Sequence, residues 1–288
     1  MNLKTKAETL RALHTGGRIL VLVNAWDVAS ARIVEAAGAS AVATTSAGVA
    51  NVLGYADGQR IPRTVMIEAA GRIARAVGVP VTADAEAGYG PTPEDAAETT
   101  HQLLAAGVAG MNFEDGTGDP AAALFPVEQQ VARIRAIRQT AAAADVPLVL
   151  NARTDVFLAA AGAPETRFEE TVRRANAYLE AGGDCVFVPG VTGAKVIGRL
   201  VRAIQGPLNI LAGPGAPPVA ELERLGVARV STGSAFMRAC FAKARDVAHD
   251  ILAGGSWESL LDNAIPYLEM NELVGGRPDA VSWPSTSE

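Results

Sequence analysis

The chain has few of the side chains that most often carry transition-metal or covalent chemistry. Its 288 residues include two cysteines, Cys185 and Cys240, and three histidines, His14, His101 and His249. With so few cysteines we expect no disulfide framework and a reducing, cytoplasmic setting. The histidines all fall in helical patterns, and we expect His14 and His101 on solvated or interfacial helix faces. A zinc site built on imidazole is therefore disfavoured.

Other scarcities exclude whole classes of function. None of the lysines follows a predicted strand, which argues against a Schiff-base aldolase. The net charge is −6 and no basic run is present, so neither nucleic acid nor an acidic membrane is an expected partner. No uninterrupted apolar run is long enough to span a bilayer, and the first residues lack the apolar core of a signal peptide.

Short apolar runs alternate with longer helical patterns over almost the whole sequence. The strand-like runs are 19–24, 40–44, 79–83, 109–113, 147–151, 184–188, 208–211 and 229–231. Eight strands that alternate with helices over about 250 residues are typical of a (β/α)8 barrel of the TIM type, an α/β fold. An open doubly wound sheet is the alternative, but no G-x-G-x-x-G motif follows the first strand.

We assign residues 1–255 to this barrel and residues 256–288 to a C-terminal extension. Within the extension, 257–270 is predicted to be helical and 275–288 to be a polar tail. The helical part carries six large apolar side chains, which are Trp257, Leu260, Leu261, Ile265, Tyr267 and Leu268. This is too much apolar surface to leave exposed beside a complete barrel, so we expect it to pack on a partner subunit of a homo-oligomer.

Charged residues are concentrated where the predicted strands end. Asp84 and Glu86 follow the third strand, Glu114 follows the fourth and Arg153 follows the fifth. Because active sites of such barrels are built at the carboxyl ends of the strands, we expect these side chains to converge. Carboxylates without histidine or cysteine nearby suit Mg²⁺ or Mn²⁺. The alternative for Asp84 and Glu86, which extended geometry would point the same way, is a solvated loop that caps the next helix.

Two further features could bind an anionic substrate. The planar guanidinium of Arg153 is the natural bidentate partner of a carboxylate. The run 45–48 offers hydroxyls and backbone N–H groups to a second anionic oxygen. The alternatives are an ion pair of Arg153 with Asp155 or Glu114 that only closes the barrel, and an ordinary turn at 45–48.

Several motifs, taken together and in order, resemble the isocitrate lyase/phosphoenolpyruvate mutase superfamily. They are NAWDVASARIVEAAGASAV, TSAGVA, DAEAGYG, FEDGTGD and NARTD, and the similarity extends past residue 233 through AGPGAP and STGS. The resemblance implies a Mg²⁺-dependent barrel that makes or breaks a C–C or P–C bond through an enolpyruvate-like intermediate. It also implies a tetramer in which a helix beyond the eighth strand is exchanged with a neighbour.

The resemblance also implies roles for single residues. Asp84 would bind Mg²⁺, helped directly or through water by Asp57, Glu86 and Glu114, so Asp84, Glu86 and Glu114 are the predicted metal ligands. A turn-forming Asp-Gly is the alternative for Asp57. Arg153 would bind the substrate carboxylate, and it is predicted to be catalytic together with Asp57 and Glu114. The residues that would hold the pyruvyl end are Thr45, Ser46 and Ala47.

The sequence departs from the superfamily pattern in three places. Glu86 stands where the well-known members have Asp. The loop 116–125 contains no Cys, Lys or His, whereas the lyases carry a Lys/Arg-Cys-Gly loop whose cysteine is the general acid. Val188-Pro189 stands where the mutases usually have a histidine. These departures argue against both the familiar isocitrate-type cleavage and phosphoryl migration, and an enolate would take its proton from water, Tyr89 or another group.

These observations predict a Mg²⁺-dependent lyase that cleaves a C–C bond of a small 2-oxo or 2-hydroxy carboxylic acid. The enzymatic alternative acts on the P–C bond of a phosphonopyruvate-like acid. Residues 212–215 and 231–234 would suit that substrate, because they occupy the usual phosphate position of barrels, although such glycines often only turn the chain. A non-catalytic metabolite-binding barrel is the alternative from another class, motivated by the missing acid loop.

Overall fold

The computed structural model describes residues 1–275, and its strands form a single, nearly closed parallel barrel. The strands are β1 (Leu20–Leu22), β2 (Asn24–Ala25), β3 (Val42–Thr44), β4 (Val81–Asp84), β5 (Gly110–Glu114), β6 (Val149–Arg153), β7 (Cys185–Val188), β8 (Leu208–Leu211) and β9 (Arg229–Ser231). Their order around the barrel is β1-β9-β8-β7-β6-β5-β4-β3-β2, and all neighbours are parallel.

Helices separate the strands, as the alternating pattern predicted. They are α1 (Leu3–Leu13), α2 (Val28–Ala36), α3 (Ser46–Val52), α4 (Arg63–Ala76), α5 (Pro93–Ala105), α6 (Val127–Ala143), α7 (Arg167–Glu180), α8 (Ala194–Ala203), α9 (Val219–Leu225), α10 (Ala235–Gly254), α11 (Glu258–Leu261) and α12 (Tyr267–Gly275). Local signals set some of their starts. For example, Thr92 and Asp95 form a reciprocal capping box at the start of α5, with Pro93 as its first residue. The predicted (β/α)8 fold class is confirmed.

The first strand differs from its prediction, because residues 19–24 do not form one continuous strand. β1 pairs with β9, whereas β2 pairs with β3 on the other side. The Asn24 side chain bridges the opening between those neighbours. Its Nδ2 donates to the Thr44 carbonyl at 2.7 Å, and its Oδ1 accepts from the Thr232 and Gly233 backbone N–H groups at 3.0 and 2.9 Å. At the point where the barrel closes, the hydrogen bonds of this polar side chain thus take the place of backbone hydrogen bonds between strands.

Helix α1 closes the amino-terminal end of the barrel. Its buried residues, Ala7 and Leu10, belong to a core cluster with inward residues of β1, β3, β5 and β6. Gly110 is required by this packing, because a Cβ there would lie 2.7 Å from Leu10 Cδ2 and 2.9 Å from the Val149 carbonyl oxygen. The opposite end of the barrel, its mouth, is therefore where the polar side chains at the carboxyl ends of the strands can meet.

His14, which directly follows α1, lies in this closed end, so the prediction of a solvated or interfacial position is wrong. Only 6% of it is exposed, and its Nδ1 lies 2.8 Å from the Leu10 carbonyl oxygen. Burial, reinforced by the charge of Arg229, lowers the pKa of His14 to about 4. His101 and His249 are exposed.

Helix α10 projects from the barrel and leaves a cleft beside it, whereas α12 packs back against α2. Only Met237 is buried among the 20 residues of α10. A cleft of about 1020 Å³ opens where the helix after β9 would cover the sheet in a closed (β/α)8 barrel, and its lining includes Leu20, Ile33 and Phe236. The predicted helical segment 257–270 is in fact split between α11 and α12, and Leu273 of α12 is buried. The predicted tail lies outside the described residues from 276 onward.

None of the helices within residues 1–275 is both long and apolar enough to cross a membrane.

Candidate active site

A small polar cavity lies at the carboxyl ends of the strands, where the sequence placed the active site. Its volume is about 180 Å³. It is lined by Asn24, Thr45, Ser46, Ala47, Asp57, Asp84, Asn112, Arg153, Leu158, Phe187, Pro189, Leu211, Ser231, Gly233 and Ser234. The predicted residues Thr45, Ser46, Ala47, Asp57, Asp84 and Arg153 are thus brought together. Of the two predicted phosphate turns, 231–234 contributes to the lining and 212–215 does not.

Asp84, at the end of β4, is held by the start of α3. The Ser46 backbone N–H and hydroxyl both donate to Asp84 Oδ2, at 3.1 and 2.8 Å. Thr45 caps α3, which turns the chain immediately after β3 and aims Ser46 at the next strand. No helix is predicted here from the sequence, and α3 begins the long connection between β3 and α4. Asp57 lies in the exposed remainder of that connection, with Oδ1 at 3.5 Å from the Ser46 hydroxyl.

Glu86 lies close to Asp84, although extended geometry does not persist as far as Glu86. β4 ends at Asp84, and Glu86 has a left-handed φ of 49°. Its carboxylate accepts a hydrogen bond from the Gln59 backbone N–H and another, at 3.1 Å, from the Tyr89 hydroxyl. Burial and the adjacent charge of Asp84 raise the pKa of Glu86 to about 7. Burial and Glu86 also raise the pKa of Tyr89, which makes its hydroxyl a weaker proton donor.

Arg153 is ion-paired on two sides. Its Nε and Nη2 donate to the two oxygens of Asp155 at 2.6 and 3.0 Å, and Nη1 lies 2.6 Å from a Glu114 oxygen. Burial would lower the pKa of Arg153, but the charges of Glu114 and Asp155 outweigh it and raise that pKa. Each terminal nitrogen carries two N–H groups but has a single acidic partner within residues 1–275, and Arg153 lines the cavity. Arg153 can therefore keep its ion pairs with Asp155 and Glu114 and still contact a substrate in the cavity.

Behind this arginine, Asp115 anchors the end of β6. It is fully buried and accepts from the Asp155 backbone N–H and the Thr154 hydroxyl, both at 2.9 Å. Arg174 and the Tyr178 hydroxyl on α7 also donate to it, at 3.0 and 2.7 Å. Sequence reasoning did not assign Asp115 a role. Strand alternation after Glu114 was the available signal, because it turns the second acid of the FED motif away from the cavity.

The acidic side chains at the barrel mouth are the candidate holders of a metal ion. Within residues 1–275, no three or more His, Cys, Asp or Glu side chains converge closely enough to form a complete ligand set. Asp84 Oδ1, however, is buried and makes no hydrogen bond within the described chain. A buried carboxylate oxygen without a donor is costly unless a cation or water meets it. The residues therefore fit an ion such as Mg²⁺, which keeps several waters and needs only one or two direct carboxylates.

Three residues to which the sequence assigned no chemical role also shape the site. Gln59 joins its loop to the turn that follows β4, since its Oε1 accepts a hydrogen bond from the Tyr89 backbone N–H at 2.7 Å. Asn112, on β5, lines the cavity, and Arg229 lies beneath it. Strand alternation predicts Asn112 on the same face as Glu114, two residues later, and Asn112 does line the cavity. Nothing in the sequence near Gln59 or Arg229 signals their contacts.

Together, the barrel and its polar mouth define an α/β-barrel protein with a candidate site at the carboxyl ends of its strands. A family model described as phosphoenolpyruvate phosphomutase matches residues 10–252. The chain belongs to this family, within the phosphoenolpyruvate mutase/isocitrate lyase superfamily.

Individual relatives share most of the chain. It is 37% identical to an uncharacterised protein of Mycobacterium tuberculosis (strain ATCC 25618 / H37Rv), covering 90% of this chain and 93% of that one. It is 29% identical to the 2-methylisocitrate lyase of Escherichia coli (strain K12), covering 95% and 94%. Among solved structures, a phosphonopyruvate hydrolase in complex with oxalate and Mg²⁺ matches with a TM-score of 0.83 and 27% identity, covering 96% of this chain and 95% of that one.

Proposed function

We propose that this protein is a Mg²⁺-dependent lyase that cleaves a C–C bond of a small 2-oxo or 2-hydroxy carboxylic acid and leaves an enolate. The observation that carries the proposal is Asp84, which lines the same small cavity as Arg153 and whose buried Oδ1 has no hydrogen-bond partner within residues 1–275. A cation at one wall and a guanidinium at another suit a dianionic acid. The cavity volume of about 180 Å³ favours a substrate of few carbon atoms, because drug-sized ligands occupy roughly 300–1,000 Å³.

In this proposal each side chain has a distinct task. Asp84 holds the ion directly, and Glu86 and Glu114 contribute through water. Bound Mg²⁺ supplies a Lewis acid that polarises a 2-oxo group and stabilises negative charge on its oxygen. The free N–H groups of Arg153 bind the substrate carboxylate, while Thr45, Ser46 and Ala47 hold the pyruvyl end. Asp57 is exposed at the rim, where it can take a proton from a 2-hydroxy group.

Decarboxylation is the reaction that this set of residues serves most simply. The leaving CO2 needs no proton, and water can then protonate the enolate carbon. The loop 116–125 supplies no thiol, ammonium or imidazole for a more demanding leaving group. Tyr89 is a weak candidate, because its hydroxyl already donates to Glu86 and its pKa is raised.

A second candidate is cleavage of a P–C bond in a phosphonopyruvate-like acid. Ser231, Gly233 and Ser234 line the cavity and offer polar groups to phosphonate oxygens. The 27% identical phosphonopyruvate hydrolase structure is consistent with this candidate.

A substrate screen separates these functions. Purified protein with Mg²⁺ would be incubated with oxaloacetate, 2-methylisocitrate, malate-type acids and phosphonopyruvate, and release of pyruvate, CO2 and phosphate would be measured. We expect pyruvate from a C–C substrate, with activity abolished by chelation and restored by Mg²⁺. Full turnover by metal-free protein would contradict the metal assignment. Binding without turnover of any acid would favour a metabolite-binding barrel.

The variant Asp84→Ala tests the metal site directly. We expect it to weaken Mg²⁺ binding by more than the roughly 10- to 100-fold cost of losing an outer-shell partner, measured by titration calorimetry. Asp95→Ala is the matched control, because Asp95 is an acid on α5 that caps its own helix and does not line the cavity. Equal Mg²⁺ affinity in the two variants would refute the assignment of Asp84.

A further inference from the structure

The barrel interior contains a buried guanidinium, that of Arg229, which has no carboxylate partner within residues 1–275. Arg229 begins β9 and is 0% exposed. Its Nε donates to the Ser231 hydroxyl and its Nη2 to Asn112 Oδ1, both at 3.2 Å. Nη1 has no hydrogen-bond partner within residues 1–275, and no acid of that part of the chain forms an ion pair with Arg229. Burying a cation in this way is costly, so its retention calls for a reason.

Arg229 lies directly under the floor of the candidate active site. Both of its hydrogen-bond partners, Asn112 and Ser231, line the 180 Å³ cavity. Burial lowers the pKa of Arg229 to about 10, partly offset by the negative charge of Asp84. The guanidinium therefore remains protonated at neutral pH.

The contacts of Asn112 fix which way its amide points. A guanidinium can only donate hydrogen bonds, so the Asn112 atom that meets Arg229 must be the oxygen. Asn151 Nδ2 donates to the same oxygen at 2.7 Å. The Asn112 NH2 group is consequently left without a protein acceptor in the described chain. It is also not among the buried atoms that lack a partner, and Asn112 lines the cavity, so this NH2 group faces the cavity.

We propose that Arg229 is a positioning residue that locks the Asn112 amide with its NH2 group toward the cavity, where it donates to an anionic oxygen of the bound acid. The inference rests on the proposed function, because it requires that the cavity binds a small carboxylate. It adds a second donor to Arg153, on the floor of the cavity rather than beside β6. Without the guanidinium, the amide would lose one of the two donors that hold its oxygen inward.

Stability and binding should change in opposite directions in Arg229→Met. Replacing a buried charge by an apolar side chain of similar length is often neutral or stabilising, so we expect the thermal unfolding midpoint to stay or rise. Oxalate binding to the Mg²⁺-loaded protein should weaken by about tenfold or more, because one oriented donor is lost. A purely structural arginine would show the reverse, with a lower midpoint and normal oxalate affinity.

The experiment is titration calorimetry of oxalate against the Mg²⁺-loaded proteins, with thermal unfolding of the same samples. Arg32→Met is the control, because Arg32 is a buried arginine on α2 that does not line the cavity. Arg229→Lys should recover part of the affinity, since an ammonium can still donate to the Asn112 oxygen. Asn112→Asp keeps that acceptor but removes the NH2 donor, so it should bind oxalate poorly while remaining folded.

The outcomes distinguish this inference from the proposed function. If the wild type binds oxalate and both Arg229→Met and Asn112→Asp bind it within twofold of the wild type, the inference is overturned. If Arg229→Met does not fold, Asn112→Asp alone decides. If the wild type itself does not bind oxalate with Mg²⁺, the proposed function fails, and the inference fails with it.

Discussion

Arg153 is the residue at which a structural role and a substrate role meet. Its three contacts to Asp155 and Glu114 fix the guanidinium plane, which also lies over the Phe187 ring with its central carbon 5.7 Å from the ring centroid. Because the guanidinium is already held in place, it loses little further conformational entropy when it binds a carboxylate. The ion pairs therefore prepare Arg153 for binding rather than compete with it.

We expect Arg153→Lys to lose most of the activity on the true substrate while keeping the fold. Lysine can replace one contact of the fork but not several, and a lost charge-assisted contact of about 2–4 kcal/mol corresponds to roughly 30- to 1000-fold in kcat/KM. Steady-state kinetics and Mg²⁺ titration would check this. Arg173→Lys, in an exposed pair with Glu170 on α7, should leave kcat/KM unchanged. Near-wild-type kinetics for Arg153→Lys would make this arginine merely structural.

Glu86 should make the metal-free protein less stable as pH rises. Its pKa is raised from an ordinary 4.5 to about 7, so the folded state binds its proton more tightly than the unfolded state does. The resulting stabilisation is complete below pH 4.5 and is lost as pH rises through 7, at a cost of at most about 3 kcal/mol. Glu86→Gln, which cannot ionise, should lack this loss.

Urea unfolding in chelator at pH 5 and pH 8 would measure the Glu86 effect. The free energy of unfolding of the wild type should fall relative to Glu86→Gln between these values. Added Mg²⁺ should reduce the difference, because a cation offsets the paired charges of Asp84 and Glu86. Parallel pH dependences of the two metal-free proteins would show that Glu86 does not titrate in this range.

At the scale of elements, the junction of β5, β6 and α7 places the site's arginine. The parallel strands β5 and β6 end at the same height in the barrel, because their last residues, Glu114 and Arg153, are paired in the register. Asp115 then ties the chain after β6 to α7 through Arg174 and Tyr178. The side chains that face the cavity are therefore supported by a buried polar network on its far side.

Tyr178→Phe should destabilise the fold by about 1–2 kcal/mol, because it removes one donor from a fully buried carboxylate. The remaining donors to Asp115 should keep Mg²⁺ affinity within a few-fold of the wild type. Denaturant unfolding and metal titration would test both statements. Tyr55→Phe is the control, since Tyr55 is 38% exposed. If Tyr178→Phe were as stable as this control, the network would not contribute to folding.

At the scale of the whole molecule, residues 1–275 leave two apolar surfaces uncovered by one another. One is the cleft beside β1 and α2, and the other is the segment after α10. In that segment Leu261, Tyr267 and Leu268 are 71%, 80% and 72% exposed. Apolar surfaces of this size are typical of subunit contacts. Exchange of a helical segment between subunits in a homotetramer remains a prediction.

A chain that ends after Gly255 should lose its native oligomeric mass or its solubility. The truncation removes α11 and α12, which carry the exposed apolar residues. Light scattering after size-exclusion chromatography would measure the mass. Replacing Leu261 and Leu268 together by aspartate tests the same surface without shortening the chain, and Asp262→Ala is its control. A soluble truncated chain with an unchanged oligomeric mass would refute the prediction.

The sequence by itself determined the barrel and the composition of its mouth. Apolar runs that alternate with helical patterns specify the βα units, and parallel strands necessarily bring Asp84, Glu114 and Arg153 to one end. These inferences need only local periodicity and chain order. The same motifs also placed the chain in its superfamily.

Only the tertiary structure decided which groups meet. Ser46 bonds Asp84 across 38 positions, Glu86 bonds Gln59 across 27, and Arg229 reaches Asn112 across 117. Local patterns carry no record of such pairs, and a left-handed turn at Glu86 cancels the alternation on which its direction was predicted. His14 was misjudged for the same reason, because what covers a helix end depends on distant strands. The protonation states and orientations of the side chains in the site therefore follow from tertiary packing, which no short stretch of sequence encodes.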